Sequence, residues 1–270
     1  ELPDVEVSVS SDVCPEIREY ERFTTTVVNA YIKPLMSNYL KKLDQKLLNS
    51  GFNCPLLLMT SGGTLTNISS ACNNPVRLVE SGPAGGAILA TSIAEDMNLS
   101  KVISFDMGGT TAKITIIENK KAIKAREFEV DRKARFKKGS GYPLRIPVIE
   151  MVEIGAGGGS IARVNKLEQI ITGPDSAGSF PGPACYSNGG SMPTITDADL
   201  VIGKINPDNF AGGKIKLSKQ LADIAITENI VKFVNIDTNI AALAISEIVD
   251  ETMSNAARVH TVEQGHETSN

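Results

Sequence analysis

Residues 102–113 of this 270-residue chain read Val-Ile-Ser-Phe-Asp-Met-Gly-Gly-Thr-Thr-Ala-Lys. The apolar, largely β-branched residues 101–105 are typical of a buried strand, and the alternating residues 112–117 are typical of a second strand. Two adjacent glycines lie between them, and glycine adopts backbone conformations that other residues avoid. The segment therefore predicts a β-hairpin with Asp106 at the end of its first strand.

The same hairpin carries groups that suit a nucleoside triphosphate. Backbone N–H groups in a glycine-containing turn can approach an anion closely, and a carboxylate beside them can hold a hydrated cation. We therefore predict an ATP phosphate site formed by Asp106, Gly108, Gly109, Thr110 and Thr111, with Asp106 as the catalytic residue and the Mg²⁺ ligand. An ordinary hairpin with an aspartate at its turn is the alternative.

Apolar residues recur at helical spacing in four parts of the chain. The first of these has an apolar stripe formed by Val27, Tyr31, Leu35, Tyr39, Leu43 and Leu47. The last has a ridge that is expected to face the core, formed by Ala241, Ile245, Val249, Met253 and Ala257. The predicted helices span 24–50, 83–97, 218–234 and 238–263. Thr24 is the expected N-cap of the first helix, Gly51 is expected to end it, and Pro34 should kink it or mark its true start.

Short apolar or alternating segments predict further strands. They span 5–9, 55–59, 76–79 and 121–130. The second leads directly into Ser61-Gly62-Gly63, a sequence typical of a functional turn. The last is expected to extend the hairpin into an antiparallel sheet.

Glycine is concentrated in the middle of the chain, where 14 of the 23 glycines fall between Gly139 and Gly213. Such a region forms loops and surfaces more readily than a simple core. Within it, run 155–160 has two interpretations. It is either a second anion site, with Gly157 and Gly158 binding the nucleotide, or a tight turn packed against the core.

Several isolated polar residues have structural interpretations. Asp175, Ser176, Asp197 and Asp199 lie in predicted loops and are expected to act as solvated turn or cap residues, with a position facing the cleft or a partner subunit as the alternative. Cys185 has no neighbouring histidine that would favour a thiolate, so we expect a packed thiol rather than a nucleophile.

Composition excludes several classes of protein. The apolar fraction of 41% and the charged fraction of 21% match a globular domain, and no apolar run reaches the roughly 18–20 residues of a membrane span. Lysine and arginine number 27 against 31 acidic residues, so nucleic acid is not an expected partner. Four cysteines without a Cys-x-x-Cys pair and two histidines, His260 and His266, argue against zinc and favour reduced thiols in the cytoplasm.

Several rarer motifs occur together. They are Ser61-Gly62-Gly63 and the segments 79–90, 153–162, 173–178, 181–186 and 193–198. With 105–113, they resemble the large ATP-dependent subunit of the hydantoinase and oxoprolinase family, including the related acetone carboxylase subunits. The resemblance covers nearly the whole chain, from residue 20 to residue 260.

The resemblance implies an α/β fold of the actin-like ATPase (ribonuclease H-like) type with a glycine-rich accessory subdomain. We expect four parts: an N-terminal strand and helix segment at 1–78, a hinge helix and phosphate hairpin at 79–130, the glycine-rich subdomain at 131–213, and C-terminal helices at 214–270. Family large subunits carry another glycine-rich phosphate hairpin ahead of the resembled part. We find none here, so the sequence is expected to be a central fragment.

The resemblance also implies an activity. Members of the family use ATP to phosphorylate a carbonyl oxygen, in a cyclic amide such as a hydantoin or 5-oxoproline or in a ketone destined for carboxylation. We expect ATP and Mg²⁺ as cofactors, a small cyclic amide or ketone as substrate and a second subunit as partner, with little activity in this chain alone. A kinase-like or chaperone-like member and a non-catalytic nucleotide-binding or scaffold module are the alternatives.

Overall fold

The computed structural model describes residues 5–131 and 139–265. The chain divides into two compact units. Unit 1 contains the residues up to Ser104 together with Thr115–Met151, and unit 2 contains Phe105–Ile114 together with the residues from Val152 onward. His266 lies outside the described residues.

The helices account for most of the regular structure. They are α1 (Ser10–Val13), α2 (Glu19–Asn49), α3 (Ile68–Asn73), α4 (Ser81–Asp96), α5 (Ile195–Val201), α6 (Lys219–Ile226), α7 (Lys232–Val234) and α8 (Thr238–Glu263). A π-helical segment, Thr227–Val231, joins α6 to α7. The four predicted helices are thus confirmed, and the last has the predicted bounds. None of the helices that the structure describes is long and apolar enough to cross a membrane.

The strands are short and form small sheets. They are β1 (Leu57–Met59), β2 (Leu65–Asn67), β3 (Lys101–Met107), β4 (Ala112–Glu118), β5 (Lys121–Ala122), β6 (Lys124–Ala125), β7 (Phe128–Val130), β8 (Tyr142–Leu144), β9 (Val148–Ile149), β10 (Val152–Ile154), β11 (Ser160–Val164) and β12 (Ile170–Ser176). The largest sheet has the order β10-β4-β3, with β5 also paired to β4, and the others are the pairs β1-β2, β6-β9, β7-β8 and β11-β12.

Three strand predictions are wrong in whole or in part. Residues 5–9 form no strand, because the alternating valines lack a partner strand and stay exposed. Residues 76–79 fall largely in a 3₁₀ helix, Pro75–Leu78, in which proline occupies the first position that a helix accepts readily. The predicted strand 121–130 is broken into β5, β6 and β7, which pair with three different strands.

The buried face of helix α2 mixes polar and apolar residues: Asn29 is buried there with Leu40, and Ile32 packs against the core of unit 1. Tyr31 and Leu35 are 85% and 73% exposed, whereas Asn29 is completely buried. The Asn29 amide donates to the Asn73 carbonyl at 3.0 Å and to the Ser8 hydroxyl at 3.1 Å, and its oxygen accepts from the Val76 N–H at 3.2 Å. Hydrogen bonding by Asn29 therefore satisfies the polar part of the face of α2 that packs inward.

The ends of α2 also differ from the prediction. Thr24 is not the N-cap, because α2 begins at Glu19 and the Thr24 hydroxyl donates to the Tyr20 carbonyl inside the helix. Pro34 lies within the helix rather than at its start. Gly51 follows the last turn with a φ of +89°, as predicted for a residue that ends a helix.

Each unit has its own apolar core. In unit 1, Val76, Leu144, Ile146 and Val148 form one buried cluster, and α4 packs through Ala84 and Ala87. In unit 2 a larger cluster joins β4, β10, β11, α5, α6 and α8. The predicted apolar ridge of α8 is buried at Ala241, Ile245, Val249 and Met253, which confirms it as a core-facing stripe.

Unit 2 also contains a partly buried polar cluster between α5 and α8. The Ser246 hydroxyl donates to Asp199 at 2.9 Å, and Lys204 donates to Ser246 at 2.7 Å and to Asp250 at 3.1 Å. Burial raises the pKa of the Asp199 carboxyl above its ordinary value of 3.8, against the lowering effects of Ser246 and Lys204. Ionised Asp199 is therefore a cost to the folded state.

We predict that Asn29→Ala lowers the free energy of unfolding by about 1–3 kcal/mol, because it leaves buried backbone groups without hydrogen-bond partners. The measurement is urea unfolding followed by circular dichroism. Tyr31→Ala, on the exposed face of the same helix, is the matched control and should change stability little. Equal losses in the two variants would contradict this account of α2.

We predict that Asp199→Asn raises the thermal unfolding midpoint at pH 7. An acid whose folded-state pKa is raised loses stability as the pH rises from its unfolded pKa through its folded pKa, so removing the charge gains stability above that window. The gain should fade as the pH falls below about 4. Glu247→Gln, an exposed position of α8 that is not among the groups acting on Asp199, should show no such pH-dependent gain.

Candidate functional site

The predicted hairpin is present. Strands β3 and β4 are neighbours in the largest sheet, and residues 108–111 turn the chain between them. The Gly108 N–H donates to the Thr111 carbonyl at 2.9 Å and closes this turn. Asp106, Gly108, Gly109 and Thr110 are all exposed, and Thr111 is half-buried. The turn is thus formed by backbone hydrogen bonding and presents its side chains to solvent.

Asp106 lies next to the last residue of β3, and its side chain has no hydrogen-bond or ion-pair partner among the described residues. Across 5–131 and 139–265, neither its carboxylate nor the hydroxyls of Thr110 and Thr111 form a hydrogen bond or an ion pair. A carboxylate binds a hard cation through oxygen, and hydroxyl groups donate to phosphate oxygens. The structure therefore leaves the predicted ligand-binding groups available.

The second glycine run packs directly on this turn. Within unit 2, the Gly158 N–H donates to the Gly108 carbonyl at 3.0 Å, and the Gly159 N–H donates to the Gly109 carbonyl at 2.7 Å. The two glycine runs, which lie about 50 residues apart in the sequence, are thus joined backbone to backbone.

This contact requires residues without side chains. A Cβ atom on Gly157 would lie 2.7 Å from the Gly108 oxygen and from backbone atoms of Thr110. A Cβ atom on Gly159 would lie 2.8 Å from the Gly109 oxygen. Real Cβ atoms do not approach backbone atoms so closely, so either addition would displace the hairpin.

The glycine run is held from its other side by side chains and by a neighbouring loop. The Gly158 carbonyl accepts from both the N–H and the hydroxyl of Thr196, each at 2.8 Å, and the Gly159 carbonyl accepts from the Ala177 N–H at 2.8 Å. The Ser176 hydroxyl makes a longer contact of 3.4 Å with the Gly109 carbonyl. The run is therefore a fixed layer beneath the hairpin.

The N–H groups of Gly157 and Gly158, in run 155–160, both bond to acceptors within unit 2. The Gly157 N–H donates to the Ser160 hydroxyl at 2.9 Å, and the Gly158 N–H donates to the hairpin. Both donors already have acceptors, an arrangement typical of a packed turn. Contact of Gly157 or Gly158 with a nucleotide stays a prediction.

Asp197 fixes the first turn of α5, which carries Thr196. It is completely buried and accepts hydrogen bonds from the Thr194 N–H and hydroxyl, both at 2.8 Å, in the capping box of α5. It also accepts from the N–H groups of Ala184 and Cys185 at 3.2 and 2.8 Å. Its role as a cap is confirmed. The expectation that it is solvated is wrong, because Thr194 and the segment Ala184–Cys185 enclose its carboxylate.

The remaining predicted residues have structural contacts. Asp175 forms an ion pair with Arg163, and Ser176 and Asp199 make the contacts described above. Burial, followed by the neighbouring Asp197 carboxylate, raises the pKa of the Cys185 thiol. A raised pKa disfavours the thiolate, so Cys185 has the packed character that its sequence context predicts. All four cysteines are free.

Thr196 and Ser160 are the residues of this site that sequence reasoning missed. Their hydroxyls bind the glycine run, one on its carbonyl and one on its N–H. The only signal in the sequence was their position inside motifs 153–162 and 193–198, which does not say what they contact. Among the described residues, no group of three or more His, Cys, Asp or Glu side chains is arranged to hold a metal ion.

Known proteins are similar to this chain in sequence. The model of the hydantoinase/oxoprolinase family matches residues 22–270. An uncharacterized protein of Methanocaldococcus jannaschii, MJ0964, is 44% identical over 98% of this chain and 39% of its own length. The alpha subunit of caprolactamase from Pseudomonas jessenii is 35% identical over 98% of this chain and 37% of its own length.

A solved structure shares the fold. Acetone carboxylase, determined without nucleotide in work on ATP-dependent acetone carboxylation, matches with a TM-score of 0.82 and 27% identity. The match covers 95% of this chain and 35% of that chain. The chain thus spans little more than a third of the length of the relatives it matches.

We predict that Gly157→Ala lowers the stability of unit 2 by about 1–3 kcal/mol, because the added methyl group overlaps the backbone of the hairpin. Hydrogen exchange at the amides of residues 112–114 and of β10 is the measurement, since these residues belong to unit 2. Gly86→Ala in α4 is the control: a Cβ there meets nothing within 4 Å, so this helix should keep or gain stability. Unchanged exchange in Gly157→Ala would contradict the assigned packing.

Proposed function

This chain belongs to the hydantoinase/oxoprolinase family, and we propose from this that it is the central part of an enzyme that uses ATP to activate a carbonyl group. The fold is α/β of the actin-like ATPase type, as the sequence motifs predict. The observation that carries the proposal is the exposed hairpin at 106–111, whose carboxylate and hydroxyls have no partner among the described residues.

The hairpin is suited to bind phosphate because its shape does not depend on a ligand. The hydrogen bonds from Gly158 and Gly159 hold its carbonyls, so the turn is already formed before a phosphate arrives. Preorganised donors stabilise the charge that develops during phosphoryl transfer better than donors that must first reorganise. Thr110 and Thr111 supply hydroxyl donors at the turn itself.

Asp106 is the residue that we assign to Mg²⁺. This ion takes one or two carboxylates and keeps several water ligands, so a single exposed carboxylate beside a phosphate site is a suitable donor. When bound, the ion would neutralise the charge of the phosphate oxygens. No other role for the Asp106 side chain follows from its contacts.

The proposed reaction begins with transfer of the terminal phosphoryl group of ATP to a carbonyl oxygen. An amide carbonyl is a poor electrophile because resonance stabilises it, and phosphorylation converts its oxygen into a leaving group. Water then adds to the carbonyl carbon and the ring C–N bond breaks, with a proton passing to the departing nitrogen, which leaves an acyl phosphate. A second water hydrolyses the acyl phosphate to a carboxylate and inorganic phosphate. In the carboxylase version, water would remove the phosphoryl group of an enol phosphate as inorganic phosphate, and the enolate carbon so formed would attack carbon dioxide to give the carboxylate.

The names of the relatives limit the substrate class. Caprolactamase is named for a cyclic amide and acetone carboxylase for a ketone, so we propose a small cyclic amide or a ketone for this chain as well. The caprolactamase relative is an alpha subunit, which supports a second subunit as partner. Because the chain spans about a third of these proteins, we propose that catalysis needs further segments.

We predict that Asp106→Asn weakens binding of Mg-ATP to the chain at least about tenfold, because the amide cannot replace a charged ligand of the cation. Calorimetric titration of Mg-ATP into parent and variant is the measurement. Asp96→Asn, which changes an exposed aspartate at the end of α4, is the matched control and should bind like the parent.

Activity requires a second experiment. The chain should be combined with the segments that flank the matched region in the curated relatives and with the second subunit. Phosphate release is then measured with 5-oxoproline, a hydantoin, caprolactam or acetone. Release that depends on one of these compounds and is lost in Asp106→Asn supports the proposal. Equal nucleotide binding by parent and Asp106→Asn would overturn the assignment of the phosphate site.

A further inference from the structure

Unit 1 contains a cavity beside the Ser61-Gly62-Gly63 turn, a motif that the hairpin hypothesis leaves without a role. The cavity has a volume of about 270 Å³ and is bounded by this turn, by residues 64–78 and by Lys124 and Pro147. Cavities that hold a drug-sized molecule usually start near 300 Å³. This one therefore suits an ion or a small metabolite.

The wall formed by the turn is rigid. The N–H and the hydroxyl of Ser61 donate to the Arg77 carbonyl at 2.8 and 2.7 Å, and the Ser61 carbonyl accepts from the Ile149 N–H at 2.8 Å. Gly63 has a φ of +74°, and a Cβ on Gly62 would lie 3.2 Å from Pro147. The glycines let the chain turn where no side chain fits, and the cavity keeps its shape without a ligand.

The charge of the lining is positive. Arg77 and Lys124 contribute to it, and no aspartate or glutamate does. Within the part of the chain that the structure describes, neither cation forms an ion pair with a carboxylate. Two uncompensated positive charges at one concave site raise the local concentration of anions.

Hydroxyl groups in the lining add neutral donors. The Thr60 and Thr64 hydroxyls bond to each other at 2.8 Å, whereas the hydroxyls of Thr66 and Ser70 have no protein partner in the described ranges. Hydroxyl and cationic donors together are the groups that bind carboxylate and phosphate oxygens.

We propose that this cavity is a binding site for a small oxyanion, a carboxylate or a phosphate. Arg77 and Lys124 supply the charge, and Thr66 and Ser70 supply hydroxyl donors. The Ser61-Gly62-Gly63 turn serves as the fixed wall of the site. This site lies wholly in unit 1 and does not rest on nucleotide binding by the hairpin of unit 2.

The test uses the full chain labelled with ¹⁵N and no Mg²⁺. Inorganic phosphate and 5-oxoproline, a small carboxylate, are titrated separately, with sodium chloride at matched ionic strength as the reference. We expect saturable shifts of the Gly62 and Gly63 amide signals with at least one probe. Arg77→Gln and Lys124→Gln should each weaken binding by about tenfold or more, because charge-assisted hydrogen bonds are lost.

Lys121→Gln is the matched control, since Lys121 is an exposed lysine on neighbouring β5 that does not line the cavity. It should bind like the parent. Saturation by phosphate alone or by 5-oxoproline alone supports the site and identifies the kind of oxyanion. The proposal is overturned if neither probe saturates, if both cavity variants bind like the parent, or if only the signals of 108–111 shift.

Discussion

Two backbone hydrogen bonds join the glycine runs of unit 2, from Gly158 to Gly108 at 3.0 Å and from Gly159 to Gly109 at 2.7 Å. The backbones approach this closely because Gly157 and Gly159 lack side chains, whereas a Cβ on Gly108 or Gly109 of the hairpin would meet no atom closer than 3.5 Å. Because the Gly158 and Gly159 N–H groups hold the carbonyls of the turn, its exposed side chains are not needed to fix the shape of the turn. The position of Asp106 therefore depends on the packing of the Gly158 and Gly159 backbone against the turn.

The support extends from the glycine run into the core of unit 2. Thr196 holds the run through the Gly158 carbonyl, and Thr196 is itself placed by the capping box of Thr194 and Asp197. Helix α5, which this box begins, packs on α6 and on the buried ridge of α8. Asp197 is thus more than a helix cap, because its four hydrogen bonds link two loops to the first turn of α5. A buried carboxylate with this many donors is well satisfied, and removing it would loosen both loops.

Sequence reasoning succeeded where the information is local. The hairpin at 101–117 and helix α8 were predicted because strand alternation, adjacent glycines and helical spacing act within a few residues. It predicted helix α2 but not which face is buried, because the apolar stripe through Tyr31 and Leu35 is exposed. The buried face includes Asn29, whose hydrogen bonds reach residues more than 40 positions away. The glycine run was ambiguous for the same reason: no local pattern shows that the Gly158 N–H donates to a carbonyl 50 residues earlier.

The two sites discussed above share one structural principle. In each, a glycine-containing turn uses backbone hydrogen bonds to fix its own shape, as Gly108 does with Thr111 and Ser61 with Arg77. Beside each turn, a charged side chain, Asp106 or Arg77, has no ion-pair partner among the described residues. Fixing a turn in advance removes the entropy cost of ordering it on binding. A polar group without a protein partner can bind a ligand without first breaking a contact within the protein.

The charges at the two turns nevertheless differ. Asp106 is an anion that requires a cation before a phosphate can approach, whereas the cavity of unit 1 offers Arg77 and Lys124 directly. The hairpin should therefore select a metal–phosphate complex, and the cavity a free anion.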